Sequence, residues 1–224
     1  PDTKPDINRI LLLDGDVFVN SAEVAPDALL INGMVRYKIL YVSDDPEQLI
    51  KSINTATSFQ YSMDIPNARQ GMQCRVKCDI EHMEYELINS RKISVKAIVS
   101  LDGKVTSQEE QQITEDITGV DEVQILRSKA LVNSYIGSGS EVCVVNEVVD
   151  IPTGKPGILE ILRSDVKITG KDYKQLEDRV IVNGELSVST LYIGDDEARS
   201  IQTMEHEIPF SQVVEVPGAD ESSF

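Results

Sequence analysis

The sequence predicts a mainly β protein built as two tandem antiparallel, β-sandwich-like domains. Two observations lead there: apolar residues recur with period two, and one stretch of the chain occurs twice. The alternation is clearest where Val35, Tyr37, Ile39 and Tyr41 interleave with Met34, Arg36, Lys38 and Leu40. It returns where Leu186, Val188, Thr190 and Tyr192 interleave with Glu185, Ser187, Ser189 and Leu191. Met72, Cys74, Val76, Cys78 and Ile80 share one parity, as a half-buried strand requires. Further strands are predicted over 92–101, with Asp102-Gly103 as a hairpin turn, and over 142–151. Helical spacing is weak, its best short stretches being 46–52 and 106–118.

The repeat organises the chain. With a constant offset of 151, residues 5–68 and 156–219 share about 16 of 64 identities. Among them are the pairs Pro5/Pro156, Ile10/Ile161, Asn32/Asn183, Gly33/Gly184, Tyr41/Tyr192, Phe59/Phe210 and Pro66/Pro217. A two-residue slip is expected inside it, because Asp16-Val17-Phe18-Val19 resembles Asp165-Val166-Lys167-Ile168. The polar stretch TSQEEQQITEDITG at 106–119 is the natural boundary, giving a first domain at 1–118 and a second at 119–224. The copies are cut differently: 71–105 follows the first and has no counterpart after the second, while 125–152 precedes only the second. Open strand edges are the expected result, and such edges accept strands from other chains.

Composition narrows the function. The 38 acidic and 21 basic residues leave a net charge of −17, which opposes binding to a nucleic-acid backbone or to anionic lipid. No apolar run is long enough to span a membrane. The absence of an initiator Met before Pro1 suggests a piece or processed form of something longer. Three cysteines do not make a disulfide framework and fit a reducing compartment.

No residue is assigned a catalytic, cofactor-binding or metal-ligating role, no cofactor is expected, and partner-binding residues are left unassigned. His82 and His206 stand in different repeats without ligands at metal-site spacing, and parity turns His82 inward. Ser138-Gly139-Ser140 does not meet the nucleophile-elbow pattern and reads as a turn. Cys74 and Cys78 lie on one strand about 13 Å apart, too far for one ion or one disulfide. With Cys143 they read as core thiols. Asp44-Asp45 and Asp195-Asp196, with Glu47 and Glu197 nearby, read first as turn residues and second as a cation- or carbohydrate-binding site. Asn32-Gly33 and Asn183-Gly184 are expected at bulges or bends. Tyr41, Tyr192, Phe59 and Phe210 are expected in cores.

Several segments together resemble the SPOCS domains of spore-coat-associated proteins such as SipL. They are KPDINRIL, ALLINGMVRYKILYVSDD, IPNA, CRVKCDIEHMEYELINSRKISVKAIVSL, KPGILEIL, YIGDD and IPFSQVVEVPGA. The resemblance spans most of the chain in two copies. It implies a non-enzymatic structural or adapter role in the bacterial endospore envelope, in the mother-cell cytoplasm during sporulation and then in the coat or on the spore surface. The implied partners are other coat proteins and the chain itself, as a homo-oligomer or a head-to-tail polymer. SipL-like proteins carry a LysM domain that contacts the coat-basement protein. This sequence holds no LysM segment, and no functional residue of the family carries over by position.

Overall fold

The computed structural model describes residues 4–47, 49–109, 112, 114, 116, 119, 124, 126 and 135–221. The chain divides into two compact units, Pro1–Asp116 and Ile117–Phe224. Every regular element among the described residues is a strand, and every strand pairing is antiparallel.

In the first unit β1 (Ile7–Ala25), β2 (Ala28–Ser43) and β3 (Ile50–Asp64) form a sheet in the order β1-β2-β3. A hairpin of β4 (Gln73–Asn89) and β5 (Lys92–Thr106) forms a second layer. The odd-numbered side of β2 is the core: Leu29, Ile31, Val35, Tyr37, Ile39 and Tyr41 are all buried. Ile93 and Val95 of β5 pack onto Ile7, Ile10, Ile39 and Tyr41. Over β1, the thiols of Cys74 and Cys78 donate to the carbonyls of Ala22 and Val17, each at 3.7 Å. The outer side of the hairpin is polar, as period two requires: Arg75, Lys77, Asp79 and Lys96 are exposed.

The second unit repeats the sheet with β6 (Ile158–Leu176), β7 (Arg179–Gly194) and β8 (Ile201–Glu215) in the order β6-β7-β8. Strand lengths of 19, 16 and 15 residues recur in both sheets. The register recurs as well. Asp14 faces Lys38 and Asp165 faces Ser189, Gly33 faces Phe59 and Gly184 faces Phe210. The offset of 151 therefore holds throughout, and the expected two-residue slip does not occur. The bulges of β1 and β6 fall at matching places, so both copies keep the one offset, and the likeness of Asp16-Val17-Phe18-Val19 to Asp165-Val166-Lys167-Ile168 is not structural.

The same bonds close both sheets. The Tyr41 hydroxyl donates to the Pro5 carbonyl at 3.1 Å and the Tyr192 hydroxyl to the Pro156 carbonyl at 3.2 Å. The ammonium groups of Lys4 and Lys155 donate to the carbonyls of Ser52 and Thr203. Asp27 and Asp178 each take a left-handed φ of 56° at the first hairpin turn. Bonds to the turn after the third strand hold that conformation. The Asp27 amide donates to Ala68, and its carboxylate accepts the Asn67 amide at 2.7 Å. Asp178 makes the equivalent bonds with Ala219 and Gly218.

Four local expectations are corrected. Asp102-Gly103 lies within β5, and the hairpin turns at Ser90-Arg91, where Asn89 Oδ1 accepts the Arg91 amide at 2.9 Å. The helical stretch 46–52 is a turn that runs into β3, and no helix forms in the described part of 106–118. The boundary stretch 106–119 falls partly outside the described residues. Residues 142–151 are extended but join no ladder. Finally, Asn32-Gly33 and Asn183-Gly184 sit opposite the bulges, which belong to β1 and β6. Glycine is needed there because a Cβ on Gly33 would lie 2.3 Å from Phe59 Cζ, and one on Gly184 would lie 2.8 Å from the Phe210 ring.

Replacing Gly33→Ala is therefore expected to destabilise the first unit by about 1–3 kcal/mol through overpacking. Tyr41→Phe, which removes one buried hydroxyl donor, is expected to cost about 1 kcal/mol. Urea unfolding of the full chain, followed by circular dichroism, measures both.

Candidate functional site

The residues weighed for chemistry are scattered and occupied with structure. Asp45 Oδ1 accepts the Glu47 amide at 2.9 Å. Both oxygens of Asp196 are engaged by Ser200, from its amide at 2.8 Å and its hydroxyl at 2.5 Å. The Ser200 hydroxyl, then its amide, hold the Asp196 carboxyl below the usual range. These carboxylates tie the turns between second and third strands, which is what a solvated turn aspartate does. Among the described residues no three His, Cys, Asp or Glu side chains are grouped as metal ligands would be.

Cys74 and Cys78 are half-buried between layers, and desolvation, with the Asp79 charge, pushes the Cys78 thiol up. Cys143 is exposed, contrary to the expected core position, because its segment is not sandwiched between layers. His82 also departs from expectation. A register shift between Ile80 and His82 turns it outward, 3.9 Å from Glu84. His206 Nε2 lies 2.9 Å from the Asp150 carbonyl. Ser138-Gly139-Ser140 is extended beside β8, where a Cβ on Gly139 would meet the Glu215 carbonyl at 2.1 Å.

What remains is a surface. The ladder puts Ile158, Ile161, Val166, Ile168 and Tyr173 on one face of β6, opposite the even-numbered residues of β7. They are 38%, 53%, 58%, 53% and 55% exposed. Of the charged residues of β6, Glu160, Arg163, Asp165, Lys167, Asp172 and Lys174 fall on the other face, while Lys171 lies in the bulge between Thr169 and Asp172 and has no ladder partner. The matching face of β1 is covered by the β4–β5 layer, so that Ile7 and Ile10 are only 7% and 8% exposed. Sequence reasoning missed this patch because bulges at Ile158/Glu160, Ile161/Arg163 and Thr169/Asp172 hide its period. The visible clue was the separation of charged from apolar side chains once those bulges are counted.

The first unit is thus a two-layer antiparallel β module, and the second repeats its sheet with an exposed apolar row on β6. The SipL, SPOCS domain family matches residues 6–88 and 157–223, and the chain belongs to that family. The family is sporulation-related and is not a known enzyme family. No curated protein and no solved structure matches the chain. No helix among the described residues is long and apolar enough to cross a membrane.

An electrostatic clasp with a pH signature closes the first unit at its hairpin tip. Arg91 donates to Asp6 at 2.6 Å and the Ser90 hydroxyl to the same carboxylate at 2.8 Å, tying the hairpin tip to the start of β1. The Arg91 bond, then that of Ser90, lowers the Asp6 pKa from 3.8. With the folded value depressed, the clasp contributes fully above the unfolded value and is lost as pH falls through the folded one. Melting temperature between about pH 5 and about pH 2 is therefore expected to fall less steeply for Asp6→Asn than for the native chain.

Proposed function

We propose that this chain is a non-enzymatic structural or adapter protein of the bacterial endospore envelope, acting through protein–protein contacts made by its sheet faces. The observation that carries this reading is the bare, uncharged face of β6 in a chain whose net charge is −17. Solvent-facing strands ordinarily hold polar residues there, and a contiguous apolar surface of this kind marks a binding site. Family membership supports a sporulation setting, and within it the reading is synthesis in the mother cell followed by a place in the coat or on the spore surface. The partners are other coat proteins and further copies of this chain.

A fluorescent fusion in sporulating cells tests the reading. It is expected to gather as a ring at the forespore boundary, and deletion of the protein is expected to thin or misattach the coat in electron micrographs. Diffuse fluorescence together with a normal coat in the deletion strain would overturn it.

A further inference from the structure

The second sheet shows a surface that the first sheet shows how to cover. In the first unit the face of β1 and β2 receives the inner side of a strand pair, with β4 over β1. In the second unit the corresponding face is uncharged on all three strands. β6 offers Ile158, Ile161, Val166, Ile168 and Tyr173, β7 offers Val180, Val182, Leu186 and Val188, and β8 offers Ile208 and Phe210, next to His206, which is held by the Asp150 carbonyl, and the buried Met204. An extended segment, residues 135–150, runs antiparallel beside β8, with Gly139 against Glu215 and Asp150 against His206. Alternation groups Val142, Val144 and Val148 on one side of this segment, where they are 87%, 75% and 92% exposed. The residue between them on that side, Asn146, is uncharged. A strand-like row of valines and a strand with a bare apolar face thus stand on opposite sides of one sheet, with β7 and β8 between them.

Resting on the envelope reading above, we propose that a second copy of this chain covers this face. The two β6–β8 sheets lie face to face about a sheet spacing apart (~10 Å). A two-fold axis places the valine segment of each copy on β6 of the other. Such an interface is self-complementary: Val144 of one copy meets the Val166 region of its mate, and the reverse contact follows from symmetry. Each contact is about 33 Å long, the length of ten extended residues, and about 10 Å wide. Occurring twice, the contacts remove on the order of 1,300 Å² from water, within the range of specific interfaces. Between Val142 and Val148 on that side, and among the β6 residues paired with even-numbered β7 residues, there is no charged side chain, which lets two chains of net charge −17 approach through this face, while the paired charges of β6 lie on the other one.

Light scattering on the full chain tests the proposal. The native protein is expected at twice 24.8 kDa. Val166→Asp and Val144→Lys are each expected to be monomers with an unchanged β circular dichroism spectrum. Mixing the two variants is expected to restore the dimer mass, because the introduced charges are opposite and meet across the interface. A native monomer overturns the proposal. A dimer that persists in both variants overturns it too, by placing the contact elsewhere. The envelope reading fails separately: a native monomer that still rings the forespore leaves it standing, and a dimer that never reaches the forespore overturns it alone.

Discussion

A three-stranded antiparallel sheet has two faces and can leave only one of them to water. This constraint shapes both halves of the chain. The strands are long, 15 to 19 residues, and the central strand of each sheet puts its apolar side on one face. Burial of that face is the main favourable contribution such a sheet can gain, at about 25 cal/mol per Å². In the first unit β4 and β5 meet the requirement with alternating Cys74, Val76, Cys78, Ile93 and Val95. In the second unit the central strand is half-buried and β6 stays largely open.

The two sheets differ in cover although their frames agree nearly bond for bond. Tyr41 and Tyr192 anchor the incoming chain to Pro5 and Pro156. Asp27 and Asp178 lock a left-handed turn against the segment that leaves the third strand. Phe59 and Phe210 lie on Gly33 and Gly184. These contacts are local to each sheet and independent of what lies on its face. A repeat can therefore keep its frame while one copy carries a hairpin over its face and the other leaves β6 exposed. Membership of the SipL, SPOCS domain family attaches that frame to sporulation.

The acidic loops illustrate how a repeated motif can be structural. Asp45 and Asp196 recur because both close the turn between second and third strands, spending their oxygens on amides and hydroxyls within four residues. Those bonds fix the direction of each carboxylate within its turn. The thiols behave alike: Cys74 and Cys78 fill the space between layers and donate to β1 carbonyls.

Period-two alternation and the offset of 151 were enough, from the sequence by itself, to determine a mainly β chain, its duplication and the shared faces of β2, β4 and β7. Those features depend only on side-chain parity and local pairing. The same alternation misled where a bulge inserts a residue: β1 and β6 were hidden, and His82 was turned the wrong way. Parity cannot register a one-residue insertion whose partner lies on another strand. Alternation at 142–151 likewise cannot tell a laddered strand from an extended segment, because the ladder needs a partner at hydrogen-bonding distance. Only the tertiary structure decided which face is covered and which is bare, for burial is a property of what packs above a sheet and not of the strand beneath it.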